Sequence, residues 1–180
     1  PMAAADQLLP WKTLGRRPLV ACPPWLTLWQ ERVELPSGRV IDDFYRVVLP
    51  DFVCVVPITP AGELLLVRGY KHGLGRVTLS PPAGLMEPGE DPLAAARREL
   101  LEETGHVASE WRALGSFVVD GNRQCGTMHL FVAGQARRQQ FPQDCDSEVL
   151  RVEVLDRPAV LAALARGEFG SLAGASALTL

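Results

Sequence analysis

The sequence predicts an α/β domain with a mixed β-sheet between helices, preceded by a small N-terminal β element. Three observations support this fold class. Runs rich in β-branched and aliphatic residues lie on both sides of one helical segment in the middle of the chain. A second helical segment follows the last of these runs, and two further β-rich runs precede them all. We therefore predict the N-terminal element at residues 1–45 and the α/β domain at residues 46–180.

The N-terminal element is predicted to contain a β-hairpin. Its strands are expected at residues 26–35 and 40–49, because these β-rich runs flank the turn sequence Pro36-Ser37-Gly38-Arg39. Trp25 and Trp29 could stack on a nucleobase. Packing in a core or a dimer interface is the interpretation we favour for them.

The strands of the main domain are short runs bounded by proline, glycine or polar residues. They are predicted at residues 52–58, 63–68, 111–119, 127–132 and 150–155. A second helix is predicted at residues 157–166, because Pro158 suits a helix start and Gly167 a helix end.

The middle helix has clear sequence signals at both ends. Asp91 can accept hydrogen bonds from the first amide groups, and Pro92 suits the first helical position. Gly105 is a typical C-terminal stop. An apolar stripe of Leu93, Ala96 and Leu100 would seat this helix on the core.

Carboxylates are concentrated in and before this helix. Residues 84–105 carry six carboxylates and two arginines, a local charge of 2 − 6 = −4, whereas the whole chain carries −3. Glu99, Glu102 and Glu103 have the spacing i, i+3, i+4, so they share one face. Because like charges on one face repel, a hard divalent cation such as Mg²⁺ or Mn²⁺ would stabilise them. The alternative is a solvated acidic surface.

The same segment resembles the Nudix box: Gly, five residues, Glu, seven residues, then Arg-Glu-aliphatic-x-Glu-Glu-x-Gly-aliphatic. Its fixed positions here are Gly84, Glu90, Arg98, Glu99, Leu100, Glu102, Glu103 and Gly105. His106 stands where the family has an aliphatic residue, a departure at a packing position. The resemblance implies a Nudix α/β/α sandwich and hydrolysis of a nucleoside diphosphate linked to another group.

The resemblance also implies roles for individual residues. Glu99, Glu102 and Glu103, together with the Ala83 carbonyl, are expected to bind Mg²⁺, with Mn²⁺ as a possible substitute. Arg98 and Glu90 are expected to form an ion pair that orients the loop before the helix. Metal ions offset the charge of the diphosphate and lower the pKa of the attacking water, so an acidic site can act on an anionic substrate.

An N-terminal β element before such a domain is similar to the arrangement in ADP-ribose pyrophosphatases and related nucleotide-sugar hydrolases. This likeness implies a homodimer in which the N-terminal strands contribute to the partner's substrate pocket. Arg68, Tyr70 and Lys71 resemble the strand end that presents a basic residue to the diphosphate. Glu148, in the acidic loop 144–148, is the candidate general base, with a solvated loop carboxylate as the alternative.

The substrate is less sharply indicated than the family. The subgroup tends to have a proline about fifteen residues beyond the box, whereas here Gly121 lies in a proline-free stretch, residues 119–123. Gly121 is therefore only a candidate substrate-loop residue. We expect cleavage of ADP-ribose to AMP and ribose 5-phosphate; GDP-mannose, UDP-glucose, NADH or a non-catalytic nucleotide-sensing module are the alternatives.

Composition excludes several other classes. With 47% hydrophobic and 22% charged residues, the chain is neither disordered nor fibrous. The chain has no long basic run that would indicate binding to nucleic acid. It also has no apolar run long enough to cross a membrane. Four scattered cysteines and no visible secretory signal favour a cytoplasmic protein with reduced thiols.

Overall fold

The computed structural model describes residues 8–142 and 149–179. Twelve strands and three α-helices are defined in this part of the chain. In chain order they are β1 Lys12–Cys22, β2 Leu26–Glu34, β3 Val40–Val48, β4 Phe52–Pro57, β5 Leu64–Lys71, β6 Arg76–Ser80, β7 Ala83–Leu85, α1 Pro92–Thr104, β8 His106–Val107, β9 Glu110–Asp120, β10 Gln124–Gly134, β11 Arg137–Arg138, β12 Arg151–Leu155, α2 Arg157–Ala165 and α3 Leu172–Ala177. No described helix combines the length and the apolarity needed to cross a bilayer.

The first of two compact units contains the chain up to Pro50 and the segment Val118–Thr127. Here β1, β2 and β3 pair antiparallel in that order, so the predicted hairpin of residues 26–49 is confirmed. The turn before β10 and the start of this strand join the unit: the Val47 amide donates to the Arg123 carbonyl at 2.9 Å, and Gln124 pairs with Val47. The unit therefore extends beyond residue 45 and includes a returning segment.

Strand β1 was not predicted, because its sequence lacks the usual β signals. It contains Gly15, Pro18 and three basic residues, and all its residues are exposed. Pairing with β2 is interrupted by register shifts between Thr13 and Gly15 and between Pro18 and Val20. An edge strand tolerates proline because one of its sides needs no ladder hydrogen bonds.

The second unit, Asp51–Phe117 and Met128 onward, contains the predicted mixed sheet. Strand β4 pairs in parallel with β10 and antiparallel with β7, while β5 lies between β12 and β6. The strands predicted at residues 52–58, 63–68 and 150–155 correspond to β4, β5 and β12. The predicted α/β class is confirmed.

Side chains of β4 alternate between two helix layers. Val53 and Val55 pack against α1, whereas Cys54 and Val56 share a core with Ala177 of α3. Helix α2 covers β5 and β6 in a third cluster. The predicted second helix is α2, but α3 was missed because six mostly small residues carry no readable periodicity.

Candidate functional site

Helix α1 begins and ends where the sequence predicts. The Asp91 carboxylate accepts hydrogen bonds from the amides of Leu93 and Ala94 at 3.0 and 3.1 Å. Gly105 adopts the left-handed conformation, with φ of +71°, and its amide donates to the Leu101 carbonyl. These two caps fix the position of the carboxylates along the helix.

Arg98 is the centre of the charged cluster on α1. Its guanidinium donates two hydrogen bonds to Glu90, at 3.0 and 2.9 Å. Nη1 also donates to Glu99 at 2.6 Å and to Glu102 at 3.2 Å. One cation thus contacts three carboxylates. Its hydrogen bonds to Glu90 and, after that, to Glu99 raise the pKa of Arg98 above the ordinary range despite partial burial.

Glu90 joins the preceding loop to the helix. Besides its pair with Arg98, it accepts a hydrogen bond from the Glu87 amide at 2.9 Å. Arg98 also donates to the Leu85 carbonyl at 3.0 Å. Both members of the Arg98–Glu90 ion pair are therefore hydrogen-bonded to the backbone of the loop. Hydrogen bonding to Arg98, and then to the Glu87 amide, lowers the pKa of Glu90 to about 2.

Replacing Glu90 with glutamine is expected to lower the melting temperature at neutral pH. The folded-state pKa of about 2 lies below the ordinary 4.5, so the ionised carboxylate stabilises the fold above pH 4.5 and loses this effect as pH falls through about 2. Melting temperatures of both proteins should therefore converge between these pH values. The exposed Glu87→Gln is the control, and a difference that stayed constant across this range would contradict the prediction.

Glu99 is buried beneath Gly84. A Cβ at position 84 would overlap the Glu99 carboxylate, so only glycine leaves room for it. Burial raises the pKa of Glu99, an effect that Arg98 only partly opposes. A buried anion beside Glu102 would be stabilised by a bound cation, and oxygen ligands suit Mg²⁺ or Mn²⁺. The chemistry of the donor atoms at this site therefore suits a divalent metal.

Glu103 extends the carboxylate face towards β7. Its Oε2 accepts a hydrogen bond from the Ala83 amide at 3.0 Å. Across residues 8–142 and 149–179, no three His, Cys, Asp or Glu side chains converge as a ready metal site. In this arrangement Arg98 contacts Glu99 and Glu102, the side chains assigned to the metal by sequence.

A cavity of about 460 Å³ borders the carboxylate face. Ala83, Glu103 and Lys71, at the end of β5, all belong to its lining. The lining also includes Ala173 and Gly174 of α3 and Ser171, the residue that caps this helix. The sequence predicts Lys71 as a substrate contact. It does not predict that α3 lines a cavity, because residues 171–177 contain no recognisable motif.

Arg68 and Tyr70 are placed differently from Lys71. Arg68 is held by Glu153, at 2.7 and 3.0 Å, and by Glu168, at 2.7 Å. These contacts raise its pKa above the ordinary range and tie β5 to β12. Tyr70 is exposed and approaches His72, whereas Lys71 lines the cavity. Of these three residues, only Lys71 belongs to the cavity lining, whereas Arg68 is held in ion pairs with Glu153 and Glu168.

The two remaining sequence candidates are Gly121 and Glu148. Gly121 belongs to the first unit, in a turn where Asp120 accepts hydrogen bonds from the amides of Asn122 and Arg123 at 2.8 and 2.7 Å. No atom lies within 4 Å of a Cβ built on Gly121. Glu148 lies outside the described residues, as does the rest of its acidic loop at 144–148.

Comparison with known proteins agrees with this geometry. Residues 49–172 match the family model described as the NUDIX domain, and residues 11–51 match the nucleoside diphosphate sugar hydrolase N-terminal domain. The chain is 30% identical over 135 residues to the ADP-ribose pyrophosphatase of Bacillus subtilis, covering 73% of this chain and 72% of that protein. It is 36% identical over 118 residues to the methanol dehydrogenase activator of Bacillus methanolicus, covering 64% and 62%. The crystal structure of an ADP compounds hydrolase aligns with a TM-score of 0.79 at 25% identity, covering 97% of this chain and 93% of that one.

Proposed function

This chain belongs to the Nudix hydrolase family, and from that premise we propose that it cleaves ADP-ribose to AMP and ribose 5-phosphate with a divalent cation. The observation that carries the proposal is the complete set of box carboxylates, held on a capped helix with Glu99 fitted beneath Gly84. Relatives that act on ADP-ribose and ADP compounds support the adenine nucleotide. GDP-mannose, UDP-glucose and NADH are the next candidates.

The proposed roles follow from the contacts of each residue. Glu99, Glu102 and Glu103 would hold Mg²⁺ or Mn²⁺, with the Ala83 carbonyl as a further ligand. The cation, when bound, offsets the charge of the diphosphate and favours ionisation of water. Arg98 and Glu90 orient the loop and the helix through their paired hydrogen bonds.

Substrate contacts and proton transfer are assigned to residues outside the box. Lys71 would pair with a phosphate, because it lines the same cavity as Glu103. Arg68, Tyr70 and Gly121 are further candidates for substrate contacts, after Lys71. Glu148 is proposed as the general base, since a base must come within hydrogen-bond reach of the attacking water.

The direct test is a hydrolysis panel of ADP-ribose, GDP-mannose, UDP-glucose, NADH and a free nucleoside triphosphate, with products identified by mass. We expect AMP and ribose 5-phosphate from ADP-ribose with Mg²⁺ or Mn²⁺, and loss of turnover with a chelator. Binding of ADP-ribose without AMP release would instead favour a nucleotide-sensing module. The similarity to a dehydrogenase activator makes that second outcome worth including.

We also propose a homodimer formed through the N-terminal strands. Large apolar side chains of this region are half exposed, namely Trp11, Leu14, Leu19, Val20 and Trp25. Burying such side chains in a partner subunit would remove apolar surface from water. Sedimentation is expected to give a dimer for the full chain and a shift towards monomer for the double variant Leu19→Glu, Val20→Glu. An unshifted dimer would exclude this face as the interface.

A cytoplasmic location is proposed from the thiols. Cys22, Cys54 and Cys125 are free cysteines, and such side chains persist in reducing compartments.

A further inference from the structure

Arg68 joins separate segments of the second unit through its ion pairs with Glu153 and Glu168. We infer that Arg68 is a positioning residue: it fixes the β5–β6 hairpin (residues 64–80), which carries Lys71, and does not itself contact the substrate. The inference rests on the proposed function, in which Lys71 binds a phosphate. It gives Arg68 a different role from the substrate contact that the family resemblance implies.

The guanidinium of Arg68 already faces two carboxylates. Nε and Nη2 donate to the two oxygens of Glu153 at 2.7 and 3.0 Å, and Nη2 also donates to Glu168 at 2.7 Å. Such two-point pairing fixes the orientation of both partners. Hydrogen bonds to Arg68 lower the pKa of Glu153 and of Glu168, so both are ionised at neutral pH. A phosphate would therefore compete with two anions for this cation.

Arg68 lies where the sheet narrows from three strands to two. Strand β12 pairs with β5 as far as Arg151, which lies opposite Arg68. Among the described strands, β5 pairs beyond this point with β6 alone, ending with Lys71 opposite Arg76. Because a two-stranded hairpin is only marginally stable by itself, its direction depends on how its base is held.

The segment that carries Glu168 is also bonded to β6. The Glu168 carbonyl accepts hydrogen bonds from the Thr78 hydroxyl at 2.8 Å and from the Leu79 amide at 2.9 Å. Arg76 donates to the Gly167 carbonyl at 3.1 Å. The Glu168 carboxylate, through its pair with β5, therefore links this segment to both strands of the hairpin.

The position of Lys71 depends on this base. Strand residues rise about 3.3 Å each, so Lys71 lies about 10 Å beyond Arg68 along β5. A tilt of about 6° at Arg68 is enough to displace Lys71 by about 1 Å. A shift of that size in a binding group has a large effect on an enzyme. Since a phosphate is bound in both the ground and the transition state, the effect is expected mainly in KM.

Kinetics of ADP-ribose hydrolysis by the full chain with Mg²⁺ would test this role in Arg68→Gln and Glu153→Gln. We expect each variant to raise KM by about tenfold and to change kcat by less than about threefold. A direct phosphate contact predicts the opposite for Glu153→Gln, because this variant keeps the Arg68 cation and removes a competing anion. Its KM would then be unchanged or lower, which would overturn the inference.

Arg151→Gln is the matched control. Arg151 donates to the same Glu153 carboxylate at 2.6 Å, but its side chain is 73% exposed. An exposed ion pair of this kind contributes little, so KM should stay within about twofold of the wild type. A tenfold rise in this variant would show that loss of any partner of Glu153 has the same effect, and would overturn the specific role of Arg68.

Lys71→Met tests whether Arg68 acts through Lys71. Adding Arg68→Gln to Lys71→Met should raise KM by less than about twofold further, because the group that Arg68 positions is already absent. Multiplied effects would show that the two residues act independently and would overturn the inference.

Melting temperatures show whether the variants fold. If Arg68→Gln does not, Glu153→Gln alone and combined with Lys71→Met decides, since Glu168 still holds Arg68 in these proteins. A wild type that binds ADP-ribose without cleaving it would refute the proposed function, and Kd from calorimetry would then replace KM in the same comparison. Absence of both binding and hydrolysis in the wild type would overturn both proposals.

Discussion

Replacing Glu99 with glutamine is expected to lower kcat/KM for metal-dependent hydrolysis by about 10²–10³-fold or more. Glutamine has nearly the same volume and can still accept the hydrogen bond from Arg98, so the packing beneath Gly84 is kept. What is lost is the negative charge that would bind the divalent cation. Initial rates of AMP release across a range of Mg²⁺ concentrations are the measurement.

Folding should not explain this loss. Burial raises the pKa of Glu99, so its ionised form lowers folded-state stability as pH rises through its titration range. Removing the charge at neutral pH is therefore expected to leave the melting temperature unchanged or higher when no divalent cation is added. Glu87→Gln, an exposed carboxylate in the preceding loop, should keep full activity. Wild-type kinetics in Glu99→Gln would disprove the assignment of Glu99 to the metal.

Gly84→Ala is expected to lower activity by about 10²-fold with little loss of stability. The added Cβ would overlap the Glu99 carboxylate, which lies at the far end of a flexible side chain. The carboxylate can turn away at small cost to folding, but it then leaves the position needed for catalysis. Activity and urea unfolding of the same samples would separate these two effects.

Gly15→Ala provides a matched control for this substitution. Nothing lies within 4 Å of a Cβ built at Gly15, which lies in β1. This variant should retain the activity of the wild type. If Gly84→Ala also kept full activity, the position of the Glu99 carboxylate would not matter for the reaction.

Most of the fold could be predicted because its signals are local. The Asp91 cap, the Gly105 stop and the alternating runs of β4 and β5 are each contained in a few residues. Strand β1 could not be predicted, since its pairing depends on β2 and its own sequence contains proline and glycine. Helix α3 is stabilised by contacts with β4, and six small residues do not reveal such contacts.

The candidate site could also be predicted only where its signals are local. Spacing along one helix predicts the shared face of Glu99, Glu102 and Glu103, because helical geometry fixes it. Residue type favours Arg68 over Lys71, because a guanidinium can contact two phosphate oxygens, but the partners that hold Arg68 lie far along the chain and cannot be read from the local sequence. Glu153 and Glu168 hold Arg68, whereas Lys71 lines the cavity.

The alternation of side chains along β4 separates two chemical tasks. Val53 and Val55 support the helix that carries the carboxylates, while Phe52 and Cys54 face the cavity. Odd-numbered positions of this strand therefore pack against the helix that carries the carboxylates, and even-numbered positions lie at the cavity. Substitutions at Phe52 and Cys54 would therefore change the cavity lining while the side chains of Val53 and Val55 continue to support α1.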